Sequence, residues 1–93
     1  MEELERALAE YISVLQSSSK KTNRAEDRPR YQQHLAEAAL MYAALKKDRS
    51  VKKLKELVAS ERHGYGWDYL DGPAGDEAEA AFNVFAKLVE KAT

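Results

Sequence analysis

The residues best suited to recognition lie in one segment, residues 61–77, which reads ERHGYGWDYLDGPAGDE. The segment holds all four glycines of the chain, its one tryptophan and two of its five tyrosines. Its aromatic residues alternate with others, so an extended backbone would place the three rings on one side. Rigid aromatic side chains lose little rotamer entropy on binding, which is typical of interface anchors. We therefore predict a protein-binding site formed by Tyr65, Trp67, Asp68, Tyr69 and Asp71.

Two further interpretations of this segment stay open. Trp67 could instead fold back over one end of a helical core and cover it, and the rings could line a pocket for a small ligand. In the protein-binding interpretation, the carboxylates of Asp68 and Asp71 would select a basic partner.

His34 is the residue of the chain best suited to phosphoryl transfer, because phosphate-accepting histidines occur on four-helix bundles. Domains of that class usually place a lysine about one helical turn after the histidine, and a glycine after the lysine. Here Glu37 and Ala38 occupy those positions, and the Glu37 carboxylate would repel an incoming phosphoryl group. The main interpretation of His34 is an exposed residue at the boundary of a helix, with phosphotransfer as a remote alternative.

The carboxylates near Gly72 supply the oxygen ligands that calcium prefers, but they do not fit the EF-hand register. With Gly72 in the glycine position of that motif, Trp67 and Tyr69 would replace the first two carboxylates. A zinc or iron site built from Glu61, His63 and Asp68 would need another ligand from elsewhere. Cysteine is absent, and neither a nucleophile elbow nor a glycine-rich phosphate cradle is present. The sequence therefore predicts no enzymatic activity, no metal site and no cofactor.

A second cluster is basic and lies at residues 46–55, where six of ten residues are Lys or Arg. Such a cluster could lie along the phosphates of a nucleic acid. The residues that would do so are Lys46, Lys47, Arg49, Lys52 and Lys53. A helix that reads bases usually offers Arg, Asn or Gln, and the sequence pI of about 6.1 is low for such a domain. A solvated face is thus favoured, and a nucleic-acid-associated helical module is the alternative function.

The composition limits the class of protein. The formal net charge is −1, but residues 1–60 carry a net charge of +3 and residues 61–93 a net charge of −4. No apolar run reaches the roughly 20 residues that span a bilayer, and the acidic start lacks the basic region of a signal peptide. We expect a cytoplasmic protein that does not enter a membrane. A 93-residue chain has a thin stability margin, which makes a homodimer a candidate state.

Apolar residues recur at helical spacing on both sides of residues 61–77, and these repeats predict four helices. The predicted bounds are 2–17, 29–47, 50–62 and 76–91, with a flexible connector at 18–28. The serine run at 17–19 ends the first helix, Pro29 starts the second, Ser50 or Asp48 caps the third, and Asp76 caps the fourth.

The second helix gives the strongest pattern. Its apolar stripe consists of Tyr31, Leu35, Ala38, Tyr42 and Leu45. Alanines at 36, 39, 43 and 44 flank this stripe, so a neighbouring helix could approach closely. The predicted fold is an all-α, small antiparallel four-helix bundle of one domain (residues 1–93), with a Gly/aromatic-rich loop before the last helix.

Overall fold

The structure is a computed structural model that describes residues 2–22, 24–62 and 73–92. These residues form four α-helices and no strand. The helices are α1 (Glu2–Lys21), α2 (Asp27–Lys46), α3 (Val51–Arg62) and α4 (Pro73–Lys91). The prediction of an all-α four-helix bundle is confirmed. The predicted Gly/aromatic-rich loop falls mostly at residues 63–72, outside the described residues.

Helix α1 packs against both α2 and α4, and α3 closes the bundle against α2 and α4. Two contacts show that α1 and α2 run antiparallel: Glu5 near the start of α1 meets Lys46 at the end of α2, and Thr22 after α1 meets Asp27 at the start of α2. All four helices supply the core, including an aromatic pair of Tyr11 and Phe82 with ring centroids 5.4 Å apart. The buried apolar residues are Leu4, Leu8, Tyr11, Leu15, Tyr31, Ala38, Met41, Ala44, Leu45, Leu54, Val58, Ala78, Phe82, Phe85, Ala86 and Val89.

Helix α1 continues four residues beyond its predicted end, so the prediction that the serine run stops it was wrong. Ser18 is buried and extends the inward stripe of α1, three residues after Leu15. A serine in a helix costs only roughly 0.5 kcal/mol relative to alanine, which packing in the core readily offsets. Lys20 and Lys21 then lie in the last turn, where the helix dipole favours cations.

The predicted flexible connector at 18–28 is also corrected, because residues 18–21 belong to α1 and residues 27–28 to α2. The side chain of buried Asp27 organises this corner. The Thr22 hydroxyl donates to Asp27 Oδ2 at 3.0 Å, and Arg24 Nε lies 3.6 Å from Asp27 Oδ1. Pro29, which was predicted to start α2, lies in its first turn, two residues after the helix begins at Asp27. A proline is tolerated there because the first N–H groups of a helix have no partner within it.

The turn between α2 and α3 reverses the chain within four residues. Arg49 adopts a left-handed backbone with φ of 48°, a conformation that costs a non-glycine residue about 1 kcal/mol. The predicted cap of α3 is confirmed at Ser50, whose Oγ accepts from the Lys53 N–H at 3.1 Å. Helix α4 starts at Pro73, three residues before the predicted cap Asp76, because the fixed φ of proline suits a first helical position.

The inward face of α2 differs from the prediction by one residue at two places. The observed inward stripe consists of Tyr31, His34, Ala38, Met41 and Leu45, and Asp27 and Ala44 are buried beside it. The predicted core residue Leu35 is half-buried, and Tyr42 is 44% exposed. Both stripes share three residues and have helical spacing, so the pattern alone could not separate them. We attribute the observed stripe to Glu61 of α3, which hydrogen-bonds with His34.

Candidate functional site

The predicted aromatic site lies outside the described residues, because Tyr65, Trp67, Asp68, Tyr69 and Asp71 all fall within 63–72. The two ends of the segment are described. Glu61 is buried at the end of α3, and Glu77 is exposed on the first turns of α4.

An open groove lies between α1 and α4 and has a volume of about 410 Å³. Residues at helical spacing on each helix form it, since 7, 10 and 14 share one face of α1 and 77, 81 and 84 share one face of α4. Its lining consists of Ala7, Glu10, Val14, Glu77, Ala80, Ala81 and Val84. We call this feature the α1/α4 groove.

The floor of the α1/α4 groove is apolar and accessible. Val84 is 60% exposed, Ala80 is exposed, and Val14 and Ala81 are half-buried. Alanine side chains on both helices leave space between the backbones that larger residues would fill. Covering the exposed part of Val84 alone would contribute about 1 kcal/mol to binding. The groove can therefore hold one apolar face of a helix or of an extended peptide.

The charges of the α1/α4 groove have one sign. Glu10 and Glu77 are exposed carboxylates in its lining, and among the described residues they are the charged ones that line it. An apolar floor with an acidic rim favours a ligand with an apolar face flanked by cations.

The residues of the alternative nucleic-acid site gather at the α2–α3 turn, and all five are exposed. Two of them are paired within the chain: Lys46 Nζ lies 3.4 Å from Glu5 Oε2, and Lys53 Nζ lies 2.9 Å from Asp48 Oδ2. A small cavity of about 110 Å³ beside Lys46 and Arg49 also includes Glu5 in its wall. The carboxylate of Glu5 weakens the attraction of this cavity for a phosphate.

A buried polar cluster forms where α1, α2 and α3 meet. His34 is 5% exposed, and its Nδ1 forms a short hydrogen bond with Oε1 of Glu61, which is 8% exposed. Burial raises the pKa of the Tyr11 hydroxyl above its usual value, and the nearby Glu61 and Glu37 raise it further. The cluster joins three helices through charged and polar groups in the core.

The burial of His34 corrects the prediction that it is an exposed boundary residue. Glu61 hydrogen-bonds with its Nδ1, which allows the histidine to occupy a core position. An incoming phosphoryl group cannot reach a side chain that is 95% covered, which weakens the phosphotransfer alternative.

Sequence reasoning missed both the α1/α4 groove and the partner of His34. His34 and Glu61 are 27 residues apart, and no motif links them. A signal for the groove was present, because Ala7, Val14, Ala80 and Val84 flank the predicted core stripes with small apolar residues.

Across residues 2–22, 24–62 and 73–92, no group of three or more His, Asp or Glu side chains is placed to hold a metal ion. Over the same residues, each helix is too short or too polar to cross a membrane. Comparisons with known proteins give no match: no family model fits the sequence, and no curated protein or solved structure is significantly similar to it.

Proposed function

We propose that this chain is a small, non-enzymatic protein-interaction module of the adaptor, inhibitor or regulator type, which binds a helix of a partner protein in the α1/α4 groove. The observation that carries the proposal is the open apolar floor of the groove, with Val84 60% exposed. A helix with apolar residues three and four positions apart fits such a groove, because its apolar side chains lie along one face.

The charge of the groove lining indicates the chemistry of the partner. Glu10 and Glu77 would attract lysine or arginine side chains that flank the apolar face of the partner helix. Such pairs at the rim of an interface speed association and select the partner more than they add affinity.

The aromatic residues predicted from the sequence remain part of this proposal. Glu77 ends the predicted segment 61–77 and also lines the α1/α4 groove, so the two surfaces meet there along the chain. We propose that Tyr65, Trp67 and Tyr69 supply further anchors for the same partner, with Asp68 and Asp71 adding negative charge.

The proposal is tested with a synthetic amphipathic peptide that carries leucine on one helical face and lysine on the other. We expect the peptide to shift the backbone amide signals of α1 and α4 that surround the groove, in an NMR titration of the whole chain. Val84→Lys should weaken binding by at least about tenfold, about 1.4 kcal/mol, because it places a cation on the apolar floor. Trp67→Ala should also weaken binding if the predicted segment contributes.

Leu40→Lys is the matched control, because Leu40 is an apolar residue of similar exposure on α2. It should leave peptide affinity unchanged. A peptide with glutamate in place of lysine should bind much more weakly. Equal binding of both peptides, or amide shifts that avoid α1 and α4, would rule out the α1/α4 groove as the site.

The alternative function is a nucleic-acid-associated module that uses Lys46, Lys47, Arg49, Lys52 and Lys53. The exposure of all five residues at one turn favours it, and the ion pairs of Lys46 and Lys53 count against it. Filter binding to duplex DNA in low salt separates the two functions: affinity that collapses as salt rises favours the alternative, and no binding removes it.

A further inference from the structure

The outward side of α2 is an exposed helix face without charge. We define the α2 outer face as Gln32, Gln33, Ala36, Ala39, Leu40 and Ala43, which helical spacing places together. Leu40 is 54% exposed, and of the other five only Ala43 is partly covered. Tyr42, 44% exposed, lies at one edge of the face, and Glu37 at the other.

This face differs from the other exposed helix faces of the chain. Between Arg30 and Lys46, Glu37 is the only acidic or basic residue apart from His34, in a chain of which 33% is charged. The exposed sides of α1, α3 and α4 all carry several charged residues. Apolar residues on both sides of a helix are typical of one that is covered on both sides. Within the part of the chain that the structure describes, α2 packs on α1 and α3 by its inner side.

We infer that a second copy of this chain covers the α2 outer face, in a symmetric dimer that pairs α2 with α2. In such a dimer the same surface is used twice, so each residue lies near the image of itself or of its neighbours. A face with charges of one sign would bring like charges together, and the α1/α4 groove with Glu10 and Glu77 is excluded for this reason. The α2 outer face brings together only amides, alanines and leucine.

The spacing of its residues indicates how the two helices cross. Gln32, Ala36 and Leu40 form one ridge of residues four apart, and Ala39 and Ala43 form the next. Packing such ridges into the grooves of an identical helix gives a crossing angle of about −50°. The ends of the helices then diverge, which keeps Arg28 and Lys47 of one copy away from those of the other. The alanines allow the close approach that a crossing requires.

A contact made by one helix of each copy is smaller than a standard stable interface. We therefore expect a reversible dimer, with a dissociation constant on the order of 100 μM. The surface involved is separate from the α1/α4 groove, so the dimer does not depend on the proposed function.

Sedimentation velocity of the purified chain, from micromolar concentrations up to about ten times that dissociation constant, tests the inference. The sedimentation coefficient should rise with concentration toward that of a dimer. Leu40→Lys should remain monomeric over the same range, because it sets two cations across the symmetric contact. Val84→Lys, a lysine substitution at a similarly exposed apolar residue on α4, should dimerise as the unmodified chain does. Circular dichroism checks that each variant keeps its helices.

Mixing Leu40→Lys with Leu40→Glu provides the sharpest test. Each variant alone should be monomeric, and the mixture should associate, because opposite charges then face each other across the contact. A monomeric unmodified chain at the highest concentration would overturn the inference, as would a Leu40→Lys variant that still dimerises. A mixture that stays monomeric would overturn the symmetric α2–α2 contact.

Discussion

The imidazole of His34 lies in the core beside a carboxylate from α3, which hydrogen-bonds with one of its two ring nitrogens. Glu61 accepts its Nδ1–H, and both side chains are almost fully covered. Removing one member of such a pair leaves the other buried without its hydrogen-bond partner, which typically costs about 1–3 kcal/mol. Replacing both members by apolar residues avoids that cost.

We therefore predict strong coupling between the two residues. His34→Leu and Glu61→Leu should each lower the free energy of unfolding by about 2 kcal/mol, because each leaves a buried polar group without its partner. The double variant should lose about 1–3 kcal/mol less than the sum of the two. Urea unfolding of the four proteins measures this difference.

The surface pair Asp48–Lys53 serves as the control for this cycle, since both of its side chains are largely exposed and its atoms are 2.9 Å apart. Alanine substitutions there should show a coupling energy below about 1 kcal/mol. A His34–Glu61 coupling no larger than this value would mean that the buried contact contributes no more than an exposed one.

At the scale of the helix, α2 shows how two stripes in one sequence compete for the core. The predicted stripe contains Leu35 and Tyr42, and the observed one contains His34 and Met41 in their place. Hydrophobicity alone favours leucine and tyrosine over histidine. The observed choice depends on Glu61, which belongs to another helix and which no local pattern of α2 could reveal.

The observed orientation of α2 predicts that alanine substitutions at two adjacent positions lower the free energy of unfolding by unequal amounts. Met41→Ala should lower the free energy of unfolding by about 2–4 kcal/mol, because it leaves a cavity in the core. Tyr42→Ala should cost less than about 1 kcal/mol, because the ring is 44% exposed. Thermal or urea unfolding at one low protein concentration measures both losses. A larger loss for Tyr42→Ala than for Met41→Ala would mean that Tyr42, as the sequence predicted, faces the core.

Much of the helical architecture follows from local pattern. Apolar residues at helical spacing predicted α1, α3 and α4, and residues of these repeats such as Leu8, Leu54 and Phe85 are buried. The errors in helix length lie at helix ends, where single contacts decide: buried Ser18 prolongs α1, and the carboxylate of Asp27 anchors the start of α2. Propensity rules treat these residues as helix breakers or caps, and tertiary packing overrides those preferences.

At the scale of the whole molecule, the α1/α4 groove could not be predicted from either helix alone. Its floor forms only when the alanines of α1 and α4 meet side by side, which requires the order in which the helices pack. The charge of its rim was partly visible in the sequence, because residues 61–93 carry a net charge of −4.

The free energy of unfolding at alkaline pH tests how the bundle is packed, because Tyr11 lies where three helices meet. In the folded chain, burial raises the pKa of its hydroxyl above the usual value of about 10, and Glu61 and Glu37 raise it further. Above about pH 10 the unfolded chain releases this proton and the folded chain keeps it. The free energy of unfolding should then fall by about 1.4 kcal/mol per pH unit for each such tyrosine.

Tyr31 contributes in the same direction, since burial and then Asp27 raise its pKa, while a hydrogen bond with Ser18 opposes them. Above about pH 10, Tyr11→Phe should therefore make the fall in the free energy of unfolding less steep, by about 1.4 kcal/mol per pH unit. Some of the fall should remain, because Tyr31 still contributes. Urea unfolding at several alkaline pH values measures the slope. Tyr42→Phe, at a residue that is 44% exposed, is the matched control for removal of a tyrosine hydroxyl. If Tyr11→Phe has the same slope as the unmodified chain, the Tyr11 hydroxyl ionises alike in the folded and unfolded states, and the three-helix junction is open to water.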